Sequence, residues 1–144
     1  MSDFRPELIG AVDSQGRMDA LCRFIDFWLG PRHEEYGETA ECLAAQPLPT
    51  PLHRFYEYAG RWPRSDKRSE CEWAVGAFST QDTLYRLNKV KTEEGGKLVF
   101  LVENQGGWDC RTLQHGDDPP VWCFEDDIDE NNNEFTGEKL VCDS

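Results

Sequence analysis

Four oxygen-bearing side chains between residues 127 and 138 have a spacing at which proteins bind calcium. They are Asp127, Asp129, Asn131 and Glu138, which match positions 1, 3, 5 and 12 of an EF-hand loop. Position 6 of that loop is normally glycine, but here it is Asn132, and the flanks 121–124 and 135–141 favour strands over helices. A hairpin turn over residues 131–133 is therefore the preferred interpretation, with calcium binding as the minor alternative.

The other side chains that could take part in chemistry are scattered along the chain. The six cysteines are Cys22, Cys42, Cys71, Cys110, Cys123 and Cys142. They form no C-x-x-C pair and no cluster with the three histidines, so no zinc site is predicted. A G-x-S-x-G elbow and a phosphate-binding G-x-x-x-x-G-K loop are also missing. We therefore expect free, buried thiols, no catalytic residues, no cofactor and no enzymatic activity.

Negative charge is the strongest feature of the composition. The formal net charge of the 144 residues is −13, which repels a phosphate backbone and disfavours nucleic-acid binding. Residues 117–144 contain ten acidic residues and one basic residue, for a local charge of −9. The simpler interpretation is a solvated surface that keeps the protein soluble. The more specific one is a surface that attracts a basic protein partner.

Six carboxylates are the candidate contacts for such a partner. They are Asp109, Asp117, Asp118, Glu125, Asp126 and Asp127. No apolar run reaches the length of about 18 residues that a membrane span needs, and the first residues lack the basic-then-apolar layout of a signal peptide. We therefore expect a cytoplasmic protein that binds another protein and neither a membrane nor nucleic acid.

The elements that must position these residues begin with helices. Apolar residues repeat at helical spacing over residues 13–29. The predicted buried stripe is Met18, Leu21, Cys22, Ile25, Trp28 and Leu29. Residues 34–45 predict a second helix. A third is predicted over residues 50–59, with Thr50 as its cap and Gly60 as a left-handed terminator.

From residue 71 the apolar period changes from 3.6 to 2, which predicts a sheet. The predicted strands cover residues 71–77, 84–90, 97–103, 108–113 and 121–124. Lys97–Glu103 is apolar on both faces, as in a central strand covered twice. Helices followed by a mainly antiparallel sheet indicate a single α+β domain over residues 1–144, with the N-terminal helices packed on a central sheet.

Residues 100–124 hold the most informative motif. Its members are Glu103, Asn104, Gln105, Gly106, Trp108, Pro119, Pro120 and Trp122. Each suits a structural role: a turn between strands, a rigid entry to an edge strand, or an aromatic wall of the core.

The same residues resemble the SUKH superfamily, which includes bacterial immunity proteins of polymorphic toxin systems and a yeast cell-wall assembly regulator. The resemblance rests on E-N-Q-G-x-W followed by D-D-P-P-V-W, and on Leu48-Pro-x-Pro-Leu52-x-x-Phe55-Tyr56-x-x-x-Gly60 in the helical half. It spans residues 38–124. It implies an α+β fold with a central sheet, no catalytic residues, and neutralisation of a cognate toxin, often a nuclease, by direct binding.

Two alternatives accompany this resemblance. Family members continue past the final strand into another helix, whereas this chain stops at Val141-Cys142-Asp143-Ser144, so a short form or a truncated form is expected. The alternative function is a regulatory or scaffold module that binds a host protein without a toxin partner. The sequence identifies neither the partner nor the oligomeric state.

Overall fold

The computed structural model of the protein describes residues 5–11, 13–65, 72–128 and 134–142. Its helices are α1 Arg5–Gly10, α2 Ser14–Leu29, α3 Ala40–Ala44 and α4 Thr50–Ala59. Its strands are β1 Asp82–Leu84, β2 Lys91–Thr92, β3 Lys97–Glu103, β4 Trp108–Leu113, β5 Val121–Ile128 and β6 Glu134–Cys142. Short 3₁₀ turns occupy Glu34–Tyr36, Gly76–Phe78 and Leu87–Lys89. The predicted α+β class is confirmed. Among the described residues, no helix has both the length and the apolar character needed to cross a bilayer.

Helix α2 begins and ends at local sequence signals. The Asp13 side chain accepts a hydrogen bond from the backbone N–H of Gly16 at 2.8 Å, which satisfies a donor that the first turn leaves free. At the other end Gly30 adopts a φ of 95°, and its N–H donates to the Asp26 carbonyl. The predicted helix over residues 13–29 is therefore confirmed.

The predicted buried stripe of α2 is confirmed only in part. Cys22 and Ile25 are buried, but Trp28 is 58% exposed and Leu29 is 38% exposed. The Trp28 ring packs on the ring of Phe27 at 5.5 Å and on that of Phe24 at 6.2 Å, instead of on the core. Helical spacing alone did not distinguish a surface cluster of aromatic rings from a core-facing stripe.

The predicted helix over residues 34–45 is interrupted. The 3₁₀ turn Glu34–Tyr36 and helix α3 are separated at Gly37, where an added Cβ would overlap the backbone oxygen of Glu57. The next residue, Glu38, donates its N–H to the Tyr56 carbonyl at 2.9 Å. These contacts with α4 hold the segment in an extended path, so tertiary packing overrides the helical tendency.

Helix α4 is confirmed, but neither of its two predicted end signals is found. Pro49 occupies the cap position, and the Thr50 hydroxyl donates instead to Asp117 at 2.8 Å. Gly60 has a φ of −61°, so the predicted left-handed terminator is wrong. A glycine suits this position because a Cβ would lie 2.7 Å from the Tyr56 carbonyl oxygen.

The sheet is antiparallel throughout the described strands. Its order is β1-β3-β4-β5-β6, and β2 pairs with β3 beside β1. Strand β3 lies between other strands on both sides, as predicted for a central strand, and Leu98 and Val99 are buried although they are adjacent along the strand. Gly95 and Gly96 form the predicted turn before β3, with φ values of 89° and 78°.

Two of the predicted strands do not form as expected. Over residues 72–77 the structure has a single bridge between Ala74 and Tyr85, followed by a 3₁₀ turn, and Cys71 lies outside the described residues. In the region 84–90, strand β1 ends at Leu84 and the 3₁₀ turn Leu87–Lys89 follows. Both segments insert apolar residues into the core from irregular backbone, and such insertion produces the same alternation as a strand.

The core lies between helices α2, α3 and α4 and the segment 74–90. Its buried members are Ile25, Leu43, Phe55, Tyr56, Ala59, Trp62, Val75 and Leu87, with Leu84 of β1 packed against them. The Tyr56 hydroxyl donates to the Tyr85 carbonyl at 2.7 Å. The helices therefore pack on the β1 side of the sheet, with segment 74–90 between them.

Four cysteines have described side chains, and all four are free thiols as predicted. Cys22 is buried, Cys110 and Cys123 are half-buried, and Cys42 is exposed. The prediction that every thiol is buried is therefore wrong for Cys42, because α3 turns this residue toward a surface cleft.

Candidate partner-binding site

The turn between β3 and β4 is built by the first part of the sequence motif. The Glu103 carboxylate accepts hydrogen bonds from the backbone N–H groups of Gln105 at 3.0 Å and Gly107 at 3.1 Å. The Glu103 carbonyl accepts from Gly106, whose φ of 78° favours glycine. Asn104 is exposed at the tip. The predicted turn is confirmed, and these residues have a clear structural role.

The loop between β4 and β5 connects the sheet to the helices. The Gly116 carbonyl accepts from the N–H of Thr50 at 2.9 Å, and Asp117 accepts from the hydroxyl of the same residue. Asp118 forms an ion pair with Arg17 of α2. Both carboxylates are exposed, but each is already engaged within the chain.

The loop's prolines lead into β5 as predicted. Pro119 and Pro120 are half-buried, and the Pro120 carbonyl accepts from the Thr112 hydroxyl at 2.9 Å. Because Thr112 is almost fully buried, this bond satisfies a polar group that would otherwise be costly.

Cations stack on aromatic rings over the middle of the sheet. Arg111 binds Asp109 through two hydrogen bonds of 2.6 and 2.8 Å, and its guanidinium carbon lies 3.7 Å from the Phe124 ring centre. The Lys97 ammonium lies 4.0 Å from the centre of the Trp122 ring. Asp109 is therefore neutralised by its neighbour. Trp108 and Trp122 are half-buried and outside the core cluster, so the predicted aromatic wall of the core is wrong; Trp122 instead lies under a cation.

A row of carboxylates crosses one end of the sheet. Asp82 of β1 pairs directly with Glu103 of β3, and Trp108 of β4 pairs directly with Glu125 of β5. Glu103 ends β3 and Trp108 begins β4, so the two pairs adjoin at the turn. Directly opposed residues of antiparallel strands project from the same face. We call the three acidic residues Asp82, Glu103 and Glu125, together with Trp108 between them, the acidic row.

The acidic row lacks internal charge compensation. No salt bridge joins Asp82, Glu103 or Glu125 to a cation in the described ranges. Like charges directly opposed across two strands are destabilising, which applies to Asp82 and Glu103. The pKa of the adjacent Cys110 thiol is raised to about 11, first by burial and then by the nearby Cys123, Asp109 and Asp82. Asp82, a member of the row, therefore contributes to a negative field at Cys110.

The predicted contact residues fall at two separate places. Strands β4 and β5 are paired from Thr112 with Val121 to Trp108 with Glu125, a ladder of roughly 13 Å at about 3.3 Å per residue. Asp117 and Asp118 lie beyond one end of this ladder, and Glu125 lies at the other end. Asp126 and Asp127 extend β5 beyond the start of β4, toward residues 129–133, which lie outside the described residues. Glu125 therefore belongs to the acidic row, and positions 126 and 127 follow it along the strand.

Two of the four possible calcium ligands lie in the paired strands β5 and β6. Asp127 pairs with Phe135 and Glu138 pairs with Phe124, so the two positions are three steps apart along the ladder. Asp129 and Asn131 lie outside the described residues. Strands, not helices, flank the segment, and no group of three metal-ligating side chains occurs in the described part of the chain. The hairpin does not bring positions 127 and 138 together.

Sequence reasoning missed Asp82 as a member of the site. It is 21 positions before Glu103, and only the pairing of β1 with β3 brings the two together. Glu103 was identified for its turn and not for its charge. The local signal was limited to an acidic residue at the start of a short polar-apolar segment, which many surface strands share.

Comparisons with known proteins add no assignment to this site. No family model matches the chain, and no curated protein or solved structure matches it. The SUKH resemblance therefore stays a prediction from its motif residues.

Proposed function

We propose that this protein is a non-enzymatic binding protein that neutralises a basic protein toxin by direct contact, as SUKH-superfamily immunity proteins do. The acidic row is the observation that supports this proposal. It has Asp82 and Glu103 at directly opposed positions of two strands, and no salt bridge joins either to a cation in the described ranges. A partner that brings lysines or arginines to the row would supply the missing charge and relieve the repulsion.

A nuclease toxin fits this surface because its cleft for nucleic acid is basic. Attraction between such a cleft and a protein of charge −13 can raise the association rate to about 10⁸ M⁻¹s⁻¹ at low salt. Trp108 adds a half-buried aromatic side chain between the carboxylates. Tryptophan is enriched among the residues that contribute most to interface affinity.

The direct test is co-expression with the toxin encoded beside the gene of this protein. The wild-type protein should rescue growth. Asp82→Lys combined with Glu125→Lys should weaken toxin binding by about tenfold or more, mainly through a slower on-rate, because both substitutions reverse charges in the row. Glu103 is left unchanged because its carboxylate also holds the β3–β4 turn.

The matched control is Glu34→Lys with Glu41→Lys, which makes the same charge change at exposed positions of the helical half. At 150 mM salt the Debye length is about 8 Å, so charges outside the interface should have a much smaller effect. Equal losses for the two double variants would exclude the acidic row as the contact. Absence of both rescue and binding would overturn the toxin role and favour a host-protein module.

A further inference from the structure

A separate cleft of about 390 Å³ opens on the helical half of the molecule. Its walls come from the region of helix α3, from Arg61 after Gly60, and from Leu87 and Asn88 of the last 3₁₀ turn. None of the acidic-row residues lines it. A concave site in which a few polar groups converge over apolar surface is the usual form of a small-molecule site.

Two arginines set the charge of this cleft. Arg61 and Arg86 line it, and both also line the neighbouring concavity beside Tyr36. Arg86 is anchored by a hydrogen bond from its Nε to the Ala74 carbonyl at 2.9 Å. Arg61 is exposed, and no side-chain hydrogen bond or ion pair joins it to the part of the chain that the structure describes.

Glu38 provides the opposite charge in the same cleft. Its backbone is fixed by the bond to Tyr56, and its side chain packs against Gly60, where an added Cβ would lie 2.9 Å from the Glu38 Cγ. Burial raises the pKa of Glu38, while the nearby Arg61 and Arg86 lower it by a smaller amount. The carboxylate is thus incompletely compensated, and a cationic donor would stabilise it.

The cleft also has an apolar surface. The exposed side chains of Cys42 and Ala45 line it, and the almost fully buried Leu87 contributes a small remainder. The cleft therefore combines two cations, one anion and a small apolar area. A phosphate dianion would meet the Glu38 carboxylate, whereas a molecule with one carboxylate and one ammonium would complement all three charges.

We propose that this cleft binds a free apolar α-amino acid. Its carboxylate lies against Arg61 and Arg86, its ammonium donates to Glu38, and its side chain packs on Cys42 and Ala45. Planar guanidiniums suit carboxylate recognition because they can donate two parallel hydrogen bonds. This binding activity is independent of the proposed toxin contact and does not rest on it.

Calorimetric titration of the full chain tests the proposal with three probes: L-leucine, L-leucinamide and N-acetyl-L-leucine. L-Leucine should bind. Each of the other two lacks one of the charged groups and should bind at least about tenfold more weakly, the loss expected for one charged hydrogen bond. A panel of other apolar L-amino acids covers differences in side-chain fit.

Two variants connect the binding to named residues. Arg61→Gln should weaken the binding of L-leucine at least about tenfold. It should not weaken the binding of L-leucinamide, because that probe has no carboxylate for Arg61 to contact. Glu38→Gln should weaken L-leucine but not N-acetyl-L-leucine. The control Lys89→Gln removes an exposed cation that does not line the cleft and should leave the affinity unchanged. Thermal unfolding curves show whether each variant is folded.

Three results would overturn the proposal. The first is no binding of any apolar L-amino acid up to millimolar concentration. The second is an unchanged affinity for L-leucine in folded Arg61→Gln. The third is equal affinity for L-leucine and N-acetyl-L-leucine, which would remove the role of Glu38.

Discussion

At the scale of single residues, the ionised Glu38 side chain lowers the stability of the fold, and the same side chain lines the proposed binding cleft. Burial is the largest cause of its raised pKa, so ionisation is less favourable in the folded chain than in the unfolded one. Its stabilising contribution is therefore complete below the ordinary pKa of 4.5 and is lost as pH rises through the folded-state pKa. A residue retained at such a cost is a candidate for function.

We expect Glu38→Gln to raise the midpoint of thermal unfolding at pH 7. The gain should shrink as pH falls to 4, because the wild-type carboxyl is then protonated and neutral, like the amide. Circular-dichroism melts at both pH values measure this difference. Glu41→Gln on α3, an exposed position with the same charge change, is the control and should give a smaller gain. An equal gain at both pH values would show that burial of the charge is not the cause.

At the scale of elements, close backbone approach decides where the helical region breaks. Gly37 passes so close to α4 that an added Cβ would overlap the Glu57 carbonyl oxygen, and backbone cannot move aside as a flexible side chain can. Gly37→Ala should lower the free energy of unfolding by about 2 kcal/mol or more, in the range of strong overpacking. Urea denaturation measures this change.

Gly10→Ala is the matched control for that substitution. No atom lies within 4 Å of a Cβ built at Gly10, and alanine favours the helical backbone at the end of α1. This variant should be neutral or slightly stabilising. Similar unfolding free energies for the two variants would contradict the packing explanation for the break at Gly37.

The same contrast explains how much of the fold could be predicted from the sequence. The boundaries of α2, β3 and β4 follow from caps, glycine turns and apolar periods, which act locally. The region 34–45 and the segment 74–90 were assigned incorrectly in part, because contacts with α4 and with the core fix their backbone. Local pattern cannot report such distant contacts.

The candidate sites divide in the same way. The Glu103 turn was visible in the sequence because a carboxylate followed by Asn-Gln-Gly is a local signal. The pairing of Asp82 with Glu103 was not, since it depends on the register of two distant strands. Arg61 and Arg86 meet in one cleft only because the chain folds back after α4.

At the scale of the whole molecule, burial and charge are unevenly distributed. The core cluster lies between the helices and segment 74–90, whereas none of the described side chains of β5 and β6 is buried. The acidic row crosses from β1, beside this core, to β5. Repulsion within the row therefore acts on the pairing of β1 with β3, where the sheet meets the core.

Asp82→Asn should stabilise the protein because it removes one of two directly opposed charges. The expected gain in unfolding free energy at low salt is about 0.2–1 kcal/mol, the range for a cross-strand pair. In 1 M NaCl the Debye length falls to about 3 Å, so screening should stabilise the wild-type protein and reduce the gain. Urea denaturation at both salt concentrations checks this, with Glu34→Gln as an exposed control outside the row. If Asp82→Asn raises the unfolding free energy at low salt by no more than Glu34→Gln does, the repulsion is not local. Net charge alone would then explain the effect of salt. A larger gain that screening removes would mean that the row lowers stability, as expected of a surface whose compensating cations come from a bound partner.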